Sequence, residues 1–292
     1  MQPQQQVSGH LAVVTVTYNS NAEIEEFLTS VGLELRPGDR VWVADNGSID
    51  RGTLRTLVAA QGATLLEMPE NYGYGGALNR VIAQIPTNFR HILVSNPDVR
   101  LRPGALAHLI TTLTESPRVA AVGPRVLTPD GVSYPSARNL PTLSNGIGHA
   151  LFGKVWPSNP WSRAYHATDD TARHPSGWLS GCCLLINRTA FDAVDGFDDG
   201  YFMYFEDVDL GYRLGKAGWV CLFDPRGEVV HRGAHSTTTE SITMLRVHHE
   251  SAYRYLSKRY HGWWLAPVRM ALRWGLNARF ALISRRMARR HS

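Results

Sequence analysis

Residues 10–18 read HLAVVTVTY, a dense β-branched run of the kind that is buried on both faces of a parallel sheet. The alternation that begins there constrains the chain most. In residues 22–33 (AEIEEFLTSVGL), Ile24, Phe27, Leu28 and Val31 recur at helical intervals, and RVWVAD (40–45) is again strand-like. The alternation continues with a helix over 53–60, a strand ATLLEM (63–68), a helix GGALNRVIAQI (75–85) and a strand HILVSNPD (91–98). A helix GALAHLITTLTE (104–115) and a strand VAAVGPRVL (119–127) complete the series. Strands alternating with helices predict a doubly wound, mainly parallel sheet over the first ~130 residues, with right-handed crossovers placing the strand C-termini on one edge. The polar clusters fall at those ends: Thr17–Asn21, Asp45–Asp50, Asn71–Asn79 and Asn96–Asp98.

Beyond residue 130 the pattern changes. Residues 130–176 are rich in Pro, Ser, Asn and Trp with little periodicity, too long a stretch for a plain connection. WLSGCCLLINRTAF (178–191) returns to strand then helix, and YFMYFEDVDLGYRLGKAG (201–218) reads as a loop entering a helix. WVCLFDP (219–225) and GEVVH (227–231) read as strands. The expected organisation is a polar arm over 1–9 and a folded body over 10–250, in two halves at 10–130 and 131–250. A basic helical region over 251–292 completes the chain.

Charge separates the body from that tail. The 292 residues carry a formal charge of +5, yet residues 251–292 hold ten Lys and Arg and no Asp or Glu. The remainder is therefore net acidic, which argues against a nucleic-acid groove across the fold and for an anionic partner of the tail, such as a membrane surface. Leu265, Val268, Leu272, Leu276, Phe280, Ile283 and Met287 fall in one helical stripe, and Trp263, Trp264 and Trp274 are candidate headgroup anchors; a terminal helix packed on its own domain is the competing reading. Arg269 and Arg290 project from within or beside that stripe and would have to snorkel. Three cysteines, two of them adjacent, give no disulfide framework, and MQPQQQVSGH lacks the basic and apolar regions of a signal peptide. A reduced cytosolic setting is expected.

Five constellations carry chemistry. Asp45-Asn46-Gly47-Ser48, at a strand end, can receive a base or ribose, although Asn-Gly is also a turn signal. The Gly-rich segment Glu70–Asn79 opens a helix, where backbone N–H groups favour a diphosphate, although it is neither a Rossmann fingerprint nor a Walker loop. Ser95-Asn96-Pro97-Asp98 puts a carboxylate at the sheet edge, suited to Mg²⁺ or Mn²⁺ or simply to capping a turn. Glu206-Asp207-Val208-Asp209 concentrates three acids in four residues: Asp209 and Arg213 are spaced for an i,i+4 salt bridge, and either Glu206 or Asp207 can cap the helix or act as a general base. His231, with His235 and Ser236 nearby, closes a strand and can complete a metal shell or lie on the surface.

The order of TVTYNS, ADNGSID, ENYGYGGALN, SNPD, WLSGCCLL, GFDDGYFMYFEDVDLGYRLGKAGW and VVHRGAHS resembles the family 2 inverting glycosyltransferases over roughly residues 11–240. YPSARNLPTL, the Trp-Pro-x-Asn-Pro-Trp stretch at 156–161 and HGWWLAPVRMALRW resemble one actinobacterial rhamnosyl-transferring branch of that family, which serves cell-wall arabinogalactan linker synthesis. The resemblance implies a GT-A (Rossmann-like) fold: a mixed, mainly parallel sheet flanked by helices, followed here by the basic helical tail. It implies a dTDP-β-L-rhamnose donor, a polyprenyl-diphospho-GlcNAc acceptor and a divalent cation, Mg²⁺ or Mn²⁺. It implies an enzyme in the cytoplasm, held peripherally at the inner face of the plasma membrane.

Carried onto this sequence, Tyr18, Asn19 and Asp45 would line the base and ribose pocket, with Asn46 and Ser48 supporting its loop. Asn71, Gly73 and Asn79 would border the diphosphate and sugar. Asp98 stands at the metal-binding second acid of the family's Asp-x-Asp motif, whose first acid is here Asn96. His231 would be a further metal ligand, Asp207 the base, and Arg213 a contact to the donor diphosphate. A transferase using UDP-galactose or UDP-glucose in polysaccharide synthesis is the nearest rival reading, and a non-catalytic nucleotide-sugar or glycan-binding module a more distant one. A nucleic-acid protein with a basic arm lacks any recognition motif. Assembly as a homo-oligomer is left open by the sequence.

Overall fold

The computed structural model describes residues 9–142, 170–233 and 242–288. His235, Ser236, the 156–161 stretch and Arg290 lie outside these residues, as do nearly all of the N-terminal arm and the side chain of Met287. The expected alternation is present: β1 (His10–Thr17), α1 (Asn21–Gly32), β2 (Arg40–Asp45), α2 (Arg51–Ala60), β3 (Thr64–Glu67), α3 (Gly73–Ile82) and β4 (Phe89–Ser95). Then come β5 (Val99–Leu101), α4 (Ala105–Thr114), β6 (Val119–Leu127), β7 (Ser133–Tyr134) and β8 (Ala137–Arg138). The second half supplies β9 (His174–Ser176), β10 (Trp178–Leu179), β11 (Cys183–Asn187), α5 (Arg188–Asp192), α6 (Glu206–Lys216) and β12 (Val220–His231). Helices α7 (Ile242–Arg259) and α8 (Ala266–Ala288), joined through a 3₁₀ turn at Trp263–Leu265, end the described chain.

The sheet runs β3-β2-β1-β4-β11-β6-β12-β5, with β7 on β6 and β9 on β12. β1 pairs in parallel with β2 and β4, and β12 with β6. One pairing departs from the expectation. β4 and β6 do not meet, because β11 inserts between them, antiparallel to both. Cys183–Ile186 are buried in succession, as a central strand covered on both faces must be, so the first 130 residues do not close their own sheet. The two strand-like runs at 219–225 and 227–231 are one strand, β12, with a register shift between Asp224 and Glu228. There Arg226 folds its guanidinium back onto the Asp224 carboxylate at 2.7 Å, satisfying a charge that the bulge buries.

Alternation along each strand feeds two cores. Leu11 and Val13 pack with Ile24, Phe27, Leu54, Leu106 and Leu109 on one face. Ala12 and Val14 pack with Leu78, Val81, Phe191, Leu210 and Leu214 on the other. The four apolar positions that predict α1 are its four buried residues, each worth about 1.5–3 kcal/mol on burial. The division of the chain expected at residue 250 falls inside α7, which runs unbroken through it. Tyr255, fully buried, joins Tyr201 and Val208 in a third cluster, so α7 belongs to the packed body. α8 folds back along α7: Arg269 Nη1 donates to the Tyr260 carbonyl, and the Phe280 ring meets His249.

Candidate active site

The C-terminal ends of β1, β2 and β4 bring the polar clusters to one edge, as βα crossovers require. At the β1–β2 end, Asn19 adopts a left-handed backbone with φ 56°, and its amide N–H donates to Ser48 Oγ at 2.9 Å. Asn19 Oδ1 accepts from Ile49 N at 2.9 Å, tying the two loops together, and leaves the Tyr18 ring exposed at the edge. Asp45 is fully buried: Oδ1 accepts from Ser48 N at 2.9 Å and Oδ2 lies 3.1 Å from Arg51 Nε. Arg51, one residue beyond the α2 cap Asp50, is a neighbour of Asp45 that sequence reasoning misses; its only signal is a cation at the first turn of a helix starting near that acid.

Asn46 ties this end to the Gly-rich segment. Its Nδ2 donates to Asn71 Oδ1 at 2.8 Å and to the Gly73 carbonyl at 3.1 Å, while its Oδ1 accepts from Tyr72 N at 2.9 Å. Gly73 opens α3 with φ 72°, and a Cβ there would collide with the Phe202 carbonyl; only glycine fits. Asn79 turns away from this cluster. Its amide bridges the Phe197 carbonyl and Asp199 Oδ1, both at 2.7 Å, and its Oδ1 accepts from Phe197 N at 3.0 Å. Arg213 also turns inward, to Asp209 Oδ2 at 2.6 Å and to the Val194 carbonyl.

Asp98 and His231 do meet. β5 pairs antiparallel with β12 so that His231 stands opposite Val99, and His231 Nε2 lies 3.1 Å from Asp98 Oδ1. Asn96 Nδ2 lies 3.4 Å from the same imidazole nitrogen. Among the described residues no group of three or more His, Cys, Asp or Glu is placed to hold a metal. Two protein donors nonetheless fit Mg²⁺ or Mn²⁺, which keep waters and substrate oxygens in their shells. Neighbouring ligands of an octahedral ion with ~2.1 Å bonds stand about 3 Å apart, the separation that this pair already has. The pair therefore fits a divalent cation.

Asp207 lies across one peptide segment from that pair. Its Oδ2 accepts from Gly181 N at 3.0 Å and its Oδ1 from Val208 N at 2.8 Å. The next residue, Cys182, passes its carbonyl to Asn96 N at 2.9 Å, so the Gly181–Cys182 backbone separates the base candidate from the metal pair. The motif WLSGCCLL alone assigns no role to this backbone. The Tyr74 hydroxyl donates to the Gly181 carbonyl at 2.6 Å and fixes it. Cys182 is buried, and burial pushes its thiol up to about 12, so it is no nucleophile.

The approach to Asp207 is strained. Tyr204 and Phe205 both have positive φ, 66° and 65°, immediately before α6. Such backbone costs of order 1–3 kcal/mol per residue and survives only where packing over-determines it. Here Phe205 packs on Tyr255 and His248, and Ser251 Oγ donates to the Met203 carbonyl at 2.8 Å. Burial raises both acids that come next. Glu206, its Oε2 without a partner among the described residues, is pushed up to about 8 by burial and then by the Asp207 charge. Burial also raises Asp207, but the Gly181 and Val208 N–H groups oppose the rise. Asp207, which solvent still reaches, is therefore the member that ionises first, and Glu206 stays protonated beside it.

A scan of family models matches residues 12–195 to the model described as "Glycosyl transferase family 2". The chain belongs to glycosyl transferase family 2. It is 44% identical over 290 residues to an N-acetylglucosaminyl-diphospho-decaprenol L-rhamnosyltransferase of Mycobacterium tuberculosis, covering 96% of this chain and 94% of that one. It is 30% identical over 195 residues to the rhamnosyltransferase WbbL of Escherichia coli, covering 64% of this chain and 71% of that one. Among solved structures, the mannosyltransferase PcManGT from Pyrobaculum calidifontis, in complex with GDP-Man and Mn²⁺, superposes with a TM-score of 0.62 at 16% identity. The match covers 97% of this chain and 76% of that one. Family 2 membership makes the chain a glycosyltransferase, and the shared fold is the mixed, mainly parallel GT-A sheet flanked by helices.

Proposed function

We propose that this family 2 enzyme transfers L-rhamnose from dTDP-β-L-rhamnose to polyprenyl-diphospho-GlcNAc, with inversion, in cell-wall linker synthesis. Identity of 44% across nearly the whole chain to the mycobacterial rhamnosyltransferase supports the donor sugar and acceptor. The observation that carries the chemistry is the arrangement of Asp98, His231 and Asp207 around one peptide segment.

Asp98 and His231 would hold Mg²⁺ or Mn²⁺, which when bound supplies positive charge to the departing nucleoside diphosphate. Tyr18, Asn19, Asp45 and Ser48 form the base and ribose end, with Asp45 shaping its loop through Ser48 and Arg51. Asn71, Gly73 and Asn96 border the diphosphate side. Asp207 accepts the proton of the acceptor hydroxyl as that oxygen bonds to the anomeric carbon. The bond from that carbon to the diphosphate oxygen breaks on the opposite face, and dTDP leaves with the electron pair. One displacement turns the β-donor into an α-rhamnoside, and no enzyme nucleophile takes part.

The acceptor is a lipid, and the tail suits a lipid surface. No helix among the described residues is long and apolar enough to cross a membrane. Trp263, Trp264 and Trp274 are 81%, 66% and 75% exposed, on a segment with ten cations and no acid. Such a segment suits peripheral attachment to an anionic membrane face.

The test is turnover of dTDP-rhamnose, UDP-galactose and UDP-glucose on a short polyprenyl-diphospho-GlcNAc, with Mn²⁺ and with EDTA. Rhamnose transfer that EDTA abolishes is expected. Preference for a UDP-sugar overturns the donor assignment.

A further inference from the structure

We propose that the α7–α8 contact around His249, beside the strained turn at Tyr204 and Phe205, is the subsite for the diphosphate of a lipid-linked acceptor. The proposal rests on the acceptor class stated above and adds the residues that grip it: Arg246, His248, His249 and Arg279.

His249 is 6% exposed, and among the described residues both of its ring nitrogens lack a partner. A buried imidazole with two unsatisfied nitrogens is costly, and polar groups left so are candidates for ligand contacts. Its surroundings favour an anion. Arg279 directly precedes Phe280, whose ring meets His249, and burial first and the Arg279 charge second hold His248 and His249 below the usual imidazole range. Arg246 stands with its guanidinium 5.0 Å from the centre of the Phe280 ring, which also meets His249 at 6.4 Å. Among the described residues neither Arg246 nor Arg279 forms an ion pair with a carboxylate. Two guanidiniums and two imidazoles, with neither arginine ion-paired to the neighbouring Glu250 among the described residues, match a group carrying two or more negative charges.

Position selects the acceptor rather than the donor. His248 lies edge-on to Tyr204 at 5.4 Å and to Phe205 at 5.5 Å, and Phe205 is two residues from Asp207. His248 thereby sets this cluster beside the turn that leads into Asp207. The donor diphosphate side is built from other elements, at Asp98 and His231.

The experiment uses the full chain with the donor side filled by thymidine diphosphate and Mn²⁺. Calorimetry then measures binding of farnesyl diphosphate, farnesyl monophosphate and farnesol, and sedimentation measures binding to phosphatidylglycerol vesicles. Farnesyl diphosphate is expected to bind at least about tenfold tighter than the monophosphate. Arg279→Gln and His249→Asn are each expected to weaken it about tenfold, and His249→Asn, which removes none of the tail's cations, is expected to leave vesicle binding unchanged. Absence of farnesyl diphosphate binding by the wild type, or unchanged binding by both variants, overturns the proposal. A parallel loss of vesicle binding by His249→Asn also overturns it and assigns the cluster to phospholipid headgroups. Failure of rhamnose transfer with diphosphate binding intact would instead count against the function proposed above.

Discussion

His231 Nε2 lies 3.1 Å from Asp98 Oδ1 although the two residues are 133 positions apart, because β5 and β12 pair in a register that sets His231 against Val99. A carboxylate and an imidazole so placed would share one divalent ion. Asp98→Asn and His231→Asn are each expected to raise the Mn²⁺ concentration for half-maximal transfer at least about tenfold. The double variant should cost less than the two single losses added together, since both groups act on one ion. Titration of activity with Mn²⁺ checks this.

Much of this site is legible in the sequence. The helical spacing of Ile24, Phe27, Leu28 and Val31, and the alternation around β1, β2 and β4, fix a parallel sheet whose C-terminal edge gathers the polar clusters. Less legible is what long-range pairing decides. Nothing local shows that β11 enters between β4 and β6, yet this brings Gly181 and Cys182 between Asn96 and Asp207. Arg213 and Asn79 are polar residues in matching motifs, but their partners, Asp209 and the Phe197–Asp199 loop, are set by packing. Periodicity alone defines the tail stripe and does not say what it covers. Its Phe280 turns toward α7, while Trp263, Trp264 and Trp274 face outward.

Glu206 gives stability a pH dependence. Its folded value of about 8 lies above the ordinary 4.5 of a free glutamate, so the folded chain binds the extra proton between those limits. The contribution is complete below about 4.5 and is lost as pH rises through about 8, so stability falls with rising pH across that window. The slope from this one group approaches about 1.4 kcal/mol per pH unit. Glu206→Gln should remove that slope. Paired denaturant titrations from about pH 5.5 to about pH 8.5, a range set by that window, decide; parallel curves for the two proteins would refute the assignment.

Asp209 anchors α7 to the turn that leads into Asp207. It is fully buried and takes Lys258 Nζ at 2.5 Å and Arg213 Nε at 2.6 Å. Asp209→Ala leaves two cations facing each other, and a cost of about 3 kcal/mol is expected, the low end for a broken buried pair because both cations keep some solvent. Loosening this anchor should also lower kcat, since Tyr201 and the turn leading to Asp207 rest on the same cluster. Urea unfolding and steady-state kinetics read the two effects separately.

The outward tryptophans predict the lipid contact. Replacing Trp263, Trp264 and Trp274 together with Ala should weaken sedimentation with phosphatidylglycerol liposomes at least about tenfold. Transfer to a soluble, short-chain acceptor should be nearly unchanged. Undiminished liposome binding would place the membrane contact elsewhere.

The most direct test of the account is single-turnover transfer by Asp207→Asn, with saturating donor, acceptor and Mn²⁺, alongside donor affinity measured on the same protein. The amide keeps the shape of the side chain but cannot take the proton. The account predicts a loss of transfer of about 10²–10⁴-fold with donor affinity essentially preserved. Transfer near the wild-type rate would contradict it and remove Asp207 as the base.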